Sequence, residues 1–168
     1  MPIPPYVAHL RTMVGRQLLW MPGVTAVVLR RADDGVGEQV LLIRRTDNGQ
    51  WAPVTGIVDP GEQPHVTAER EALEEASVVV EVERLVWVSA GDPVTHANGD
   101  LAQYLDHTFR CSWVSGDPEP GDDEASEAAW FGIDDLPPML QLFLDRIACA
   151  VENPAEVRLG PLRSGRVG

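Results

Sequence analysis

Apolar positions change period several times along the chain, and these changes divide it into elements. Between residues 4 and 16, Tyr6, Val7, Leu10, Met13 and Val14 recur at helical spacing, with Gly15 and Pro22 bracketing the end. The β-branched run at 23–29 (GVTAVVL) reads as a buried strand. Asp33-Asp34-Gly35 marks a turn, and 40–43 reads as the hairpin partner. Residues 46–61, rich in Gly, Pro, Asp and Asn, are predicted as loop. A helix is expected over 65–76, with Pro64 in its first turn. Strands are expected over 78–88 and 103–114, separated by a polar loop at 91–100. An acidic, turn-rich stretch at 115–125 precedes a short strand at 128–133. A second amphipathic helix over 138–151 groups Leu140, Phe143, Leu144, Ile147 and Val151 on one face.

No internal repeat is visible. Strands and helices mix without strict alternation, which predicts an α+β domain in α/β/α layers around a mixed sheet rather than a doubly wound fold. We expect a helical extension at 1–22, one domain at 23–151, and a flexible Gly/Pro/Arg-rich tail at 152–168.

Composition narrows the function. With 168 residues the chain supports one sizeable core. Its 26 Asp+Glu against 13 Lys+Arg leave a net charge of −13, which repels nucleic-acid backbones and argues against general nucleic-acid binding. A polyphosphate is still manageable if divalent metal stands between the two sets of charge. The apolar runs are too short to span a bilayer, and residues 1–5 lack a basic region followed by an apolar stretch. A cytoplasmic protein with Cys111 and Cys149 as reduced thiols is the expectation.

The chemistry concentrates in residues 56–78, GIVDPGEQPHVTAEREALEEASV. Glu71, Glu74 and Glu75 stand at i, i+3 and i+4, so three carboxylates share an arc of roughly 100° on one helix. Ala68, Ala72, Leu73 and Ala76 are assigned to the opposite, sheet-packing face. Like charges so spaced repel, and a hard cation such as Mg²⁺ relieves that repulsion. Arg70 is placed to brace Glu74 or Glu62. Gly56 and Gly61 permit tight turns beside the helix N-terminus.

This segment resembles the signature of the Nudix hydrolase family. Gly56, Glu62, Arg70, Glu71, Glu74 and Glu75 match its fixed positions at its fixed spacing, a coincidence expected on the order of once in ten million starts. LLIRR with Trp51 before the box, and WFGIDDLP followed by an amphipathic helix after it, extend the resemblance to about residues 20–150. Two departures stand out. Val54-Thr55 occupies the place of the family's Pro-Gly, and Ser77 replaces its final Gly at what would be a left-handed helix cap.

The resemblance implies a Nudix α/β/α sandwich and Mg²⁺-dependent hydrolysis (Mn²⁺ substituting) of a nucleoside diphosphate linked to another group. It makes Glu71, Glu74 and Glu75 the metal ligands, with the Gly56 carbonyl as a further one. Glu62 and Arg70 would organise the loop–helix junction, Glu62 also being open to water activation. An extra loop carboxylate falls best on Glu124, with Glu127 and Asp123 as rivals. The implied catalytic set is Glu62, Arg70, Glu74, Glu75 and Glu124.

Substrate contacts are assigned to Trp20, Tyr104 and Arg44, the aromatic pair being equally readable as core. Trp51, Phe109 and Trp130 read as structural first. His65, His96 and His107 show no zinc spacing; His96 lies in the loop at 91–100, whose Asp92, Asn98 and Asp100 read first as turn formers, with contact to substrate as the lesser reading for His96. Pro93, sixteen residues after Ser77, is a cue the resemblance associates with ADP-ribose; a (deoxy)nucleoside triphosphate is the other candidate substrate. The opposing reading is a Nudix-fold binding module with little catalysis, and a homodimer through the N-terminal helix and Trp20 stays open.

Overall fold

In the computed structural model, which describes residues 4–33 and 35–161, the β-branched run becomes the middle of the central strand. Helix α1 (Pro5–Val14) leads into β1 (Leu19–Arg31), which is buried on both faces from Gly23 to Leu29. A strand covered on both sides reads as a continuous apolar run, and this one does. Asp34 of the predicted turn and residues 162–168 of the predicted tail lie outside the described residues.

The chain continues through β2 (Glu38–Arg45), β3 (Trp51–Ala52), β4 (Val54–Ile57), α2 (Pro64–Ala76), β5 (Val79–Ala90), β6 (Val94–Thr95), β7 (Leu101–Ser115), β8 (Ala125–Gly132), α3 (Gln141–Glu152) and β9 (Arg158–Leu159). The order β3-β2-β1-β7-β5-β9, with β4 on β1, β6 on β7 and β8 on β2, makes one mixed sheet. β1 runs parallel to β7 from Leu19↔Ala102 to Leu29↔Ser112; its other edge takes β4 and then β2, both antiparallel.

Alternation along the strands sorts side chains into two layers. Val24, Ala26, Val28, Leu41, Ile43, Val54, Phe109 and Cys111 pack beneath α2. Val27, Leu29, Val40, Leu42 and Trp87 meet α3 on the other side through Ile147, Cys149 and Ala150. The α1 residue Val7 closes a smaller cluster with Met21 and Ala102. The expected α+β sandwich, helices on both faces of a mixed sheet, is the fold.

Several boundaries differ from expectation. β1 begins at Leu19 rather than 23, because Leu19 and Met21 find apolar cover with Tyr104 and α1. Arg11 fastens α1 to that end of the sheet, donating to Leu101 O at 2.7 Å and facing Asp100 at 3.3 Å. The stretch 46–61 is not all loop. It holds β3 and β4, two short strands whose sequence is too brief to show a period. Val54, where the family has Pro, is a fully buried strand residue pairing Ala26. Beyond α3, Arg158–Leu159 adds an edge strand, and the Trp87 indole donates to Gly160 O at 2.7 Å.

Helix α2 departs most usefully. Its buried stripe is Thr67, Ala68, Ala72, Glu75 and Ala76, whereas Leu73, expected to pack on the sheet, is 53% exposed. The small alanines let the helix lie close to the sheet, and Glu75 goes inside with them. At the helix end Ser77 is left-handed (φ 58, ψ 26), as expected from the motif, and its amide reaches Leu73 O at 3.1 Å.

An L-residue in that conformation costs about 1–2 kcal/mol, partly offset by about 0.4–1 kcal/mol of unfolded-chain entropy when Gly replaces it. Ser77→Gly is therefore expected to raise the thermal midpoint by about 2 °C. Calorimetry of the two proteins checks this; a lower midpoint would contradict it.

Candidate active site

The site begins where β4 passes under α2. Gly56 pairs with Val24 in extended backbone, and a Cβ built on it would lie 2.3 Å from both Cγ and Oε1 of Glu71. The glycine is thus required by contact rather than by backbone angle: only its bare Cα lets the Glu71 carboxyl descend onto the strand.

Arg70 organises the entry to the helix. Its Nε and Nη2 grip Glu62 at 2.9 and 3.0 Å, while Nη1 reaches Glu71 Oε1 at 3.0 Å and Glu74 Oε2 at 2.8 Å. The Thr67 hydroxyl, wholly buried, donates to Glu62 at 2.7 Å. Together these bonds, Arg70 foremost, hold the Glu62 carboxyl down at about 2. Glu62 is therefore an anchor, ionised and bound on both oxygens.

The three helix carboxylates are graded by depth. Glu74 is half exposed and Glu71 is 12% exposed at its side chain. Glu75 is 1% exposed, and among the described residues no hydroxyl, amide or guanidinium donates to it; its hydrogen-bonding neighbour is another carboxyl, Glu124. Burial pushes Glu75 up to about 9, with repulsion from Glu71 and Glu124 adding to it. Burial also lifts Glu71, to about 7, against the pull of Arg70. Glu124 is raised as well, burial again first among the causes.

The structure thus brings Gly56, Glu62, Arg70, Glu71, Glu74, Glu75 and Glu124 together. Of the rivals to Glu124, Glu127 is turned away to Arg44 at 2.7 Å, and Asp123 offers its backbone carbonyl to Thr46. The proposed substrate residues are scattered. Trp20 is 55% exposed on β1. Tyr104 sits with Met21 and Val7 on the other sheet face and meets His96 Nε2 at 3.0 Å. Arg44 lines a cleft of about 410 Å³ with Trp51, Met139 and Leu140. Pro93 stands exposed just before β6.

Alternation puts the neighbouring Arg45 on the carboxylate side instead, bound to Asp47 at 2.7 Å and within electrostatic reach of Glu75 and Glu124. The sequence reading missed Arg45 and Thr67. The LLIRR run held two arginines on opposite faces of β2, and the register shift beside them leaves Ser126 of β8 unpaired in the ladder. Thr67 was legible only as a residue one helical turn before Glu71.

The donor set fits a hard divalent cation. Glu75 presents two buried oxygens that no hydroxyl, amide or guanidinium among the described residues reaches, and the Gly56 gap is shaped around Glu71. Among the described residues, no three such side chains already stand at ligating spacing. Arg70 takes one oxygen of Glu71 and one of Glu74, and its bonds do not engage the second oxygen of either carboxylate.

A sheet sandwiched between helices, with a glycine-floored carboxylate helix on one face, defines the class of fold and site. The NUDIX domain model matches residues 20–150. The chain belongs to the Nudix family. An NAD-capped RNA hydrolase NudC of Pseudomonas syringae pv. tomato is 34% identical over 106 residues, 61% of this chain and 35% of that protein, so the chain spans about a third of such a relative. A MutT-like protein of Streptomyces ambofaciens is 31% identical over 131 residues, 77% of this chain and 76% of the relative. An ADP-ribose pyrophosphatase of Streptococcus suis, at 21% identity, shares the fold with a TM-score of 0.62 over 83% of this chain and 97% of its own.

A carboxyl whose folded pKa exceeds its unfolded value binds more protons when folded. Stability of the metal-free protein is then fullest below about 4.5 and falls as pH rises through about 9 on account of Glu75. Glu75→Gln is expected to flatten that decline and to raise the metal-free thermal midpoint near pH 8 by about 3 °C or more. Melting curves across pH with EDTA present test this; identical slopes in the two proteins would contradict the burial of a protonatable Glu75.

Proposed function

We propose that the protein is a Mg²⁺-dependent pyrophosphohydrolase (Mn²⁺ substituting) that cleaves the diphosphate bond of a small nucleotide. The single observation that carries this is Glu75, a carboxyl buried among further acids, Glu71 and Glu124, with no basic or hydroxyl partner among the described residues. A binding module has no use for so costly an arrangement, whereas a cation site does. Glu71, Glu74 and Glu75, with the Gly56 carbonyl, would hold the metal, and Glu124 would complete the set. When bound, the metal supplies charge neutralisation at the diphosphate and a water of lowered pKa.

The residues divide the remaining work. Glu62 and Arg70, locked together, fix the start of α2 and the loop before it. Arg70 also holds Glu71 and Glu74 until they are engaged. In this reading Glu75 serves the metal, and Glu124, beside it on the loop, is the carboxyl that takes the proton of an attacking water. Arg45 offers a guanidinium on the same side for a substrate phosphate. Substrate is otherwise met by Trp20, Arg44 and Tyr104 in this reading, although they line more than one face.

ADP-ribose and related dinucleotides are the favoured substrates, with (deoxy)nucleoside triphosphates as the second class. Pro93 and the ADP-ribose pyrophosphatase fold neighbour support the first; the MutT-like relative supports the second. The net charge of −13 favours free nucleotides over capped RNA. The two buried thiols suit the cytoplasm. Tyr6, Met13, Leu18 and Trp20 are exposed apolar residues about α1 that a homodimer would cover.

A panel of ADP-ribose, NADH, diadenosine polyphosphates, nucleoside triphosphates and NAD-capped RNA, each with and without EDTA, tests the assignment. Nucleoside monophosphate release abolished by EDTA is expected, and Glu75→Gln should lower turnover at least about a hundredfold. Near-normal turnover in that variant would remove α2 from the chemistry. Preferred cleavage of a triphosphate would overturn only the dinucleotide preference.

A further inference from the structure

The stretch at 115–125 reads in sequence as an acidic solvated loop, yet its backbone is fastened at both ends. At one end it caps α2: the Glu119 amide donates to Ala76 O and the Gly121 amide to Glu75 O, each at 3.1 Å. These are carbonyls that a helix C-terminus leaves without partners. The approach is so close that a Cβ on Gly121 would stand 2.1 Å from Glu74 O. At the other end the loop is held by the residue just past β2. The Thr46 amide donates to Glu124 O at 2.9 Å. The Thr46 hydroxyl donates to Asp123 O at 2.8 Å, with Glu124 O at 3.1 Å. Between the two clamps the Glu124 amide bonds Asp122 Oδ1 at 2.8 Å.

We infer that Thr46 is a positioning residue for the cation site: its hydroxyl and amide hold the Asp123–Glu124 backbone so that the Glu124 carboxylate faces Glu75. The inference rests on the proposed reading of Glu124 as part of that site. Thr46 itself is exposed and reaches backbone carbonyls only, so it acts through the loop rather than on substrate. Its amide bond survives any substitution except proline. Its hydroxyl bond is lost in valine, which keeps the shape, and kept in serine.

Mn²⁺ alone, titrated with the free ion followed by electron paramagnetic resonance, tests this without a substrate. The proteins compared are wild type, Thr46→Val, Thr46→Ser, Glu124→Gln and the Thr46→Val/Glu124→Gln double variant. Thr46→Val is expected to weaken Mn²⁺ binding about tenfold, the scale of losing an outer support of a metal ligand, and Thr46→Ser to restore it. Combined with Glu124→Gln, Thr46→Val should add nothing. Thr46→Ala, which also lacks the hydroxyl and adds no apolar bulk at this exposed position, is expected to give the same loss, which keeps the inference testable should Thr46→Val fold poorly. Wild-type affinity in Thr46→Val, or an undiminished loss on top of Glu124→Gln, overturns the role of Thr46 while leaving the cation site intact. Failure of the wild-type protein to bind Mn²⁺ overturns the proposed function and the inference with it.

Discussion

The burial of one carboxylate, Glu75, constrains much of what surrounds it. A charged carboxylate taken from water without donors costs several kcal/mol, so in the metal-free protein it holds a proton. That cost is accepted because α2 can lie close to the sheet only through Ala68, Ala72 and Ala76, and Glu75 falls on the same stripe. Gly56 opens the strand under Glu71, and the loop at 116–121 closes over the helix end. Each of these features brings an oxygen atom nearer to its neighbours than charge alone would permit.

Much of this was legible in the residues. The period-3.6 pattern, the glutamates at 71, 74 and 75 and the glycines at 56 and 61 together implied a carboxylate helix beside a tight loop, and the left-handed Ser77 followed from its place in the motif. Depth was not legible. Helical spacing assigns three carboxylates to one face, but which of them enters the core depends on how close the helix lies to the sheet. That distance is set by alanines whose effect is tertiary. Leu73 shows the same limit from the opposite side: an apolar residue on α2 left exposed because it falls outside the stripe of Thr67, Ala68, Ala72, Glu75 and Ala76 that the sheet covers.

Substrate residues were the least legible, for a geometric reason. Arg44 and Arg45 are adjacent in sequence and point to opposite faces, so a motif that names both cannot say which meets the carboxylates. Tyr104 and Trp20 both lie near the parallel pairing of β1 and β7, and again alternate across the sheet. The short strands β3 and β4 escaped notice because two to four residues carry no period.

The other face of the sheet supplies a control for the meaning of Glu75. Asp106 is buried as well, at 4% exposure, and burial raises its pKa too. Yet Asp106 is surrounded by donors. Thr25 and Thr108 hydroxyls each reach it at 2.8 Å, and Arg146 of α3 stands 3.3 Å away. Two deeply buried carboxylates in one small domain therefore meet opposite treatment. The fold satisfies Asp106 from β1, β7 and α3, a network that fixes how α3 seats on the sheet. It supplies Glu75 with further carboxyls and, among the described residues, no hydroxyl or guanidinium partner. A chain able to build the first arrangement is not forced into the second by want of hydroxyls or guanidinium groups. Arg45 and Arg70 are both close by, each committed to another acid. A carboxyl left in that state among further acids supports the cation site proposed above.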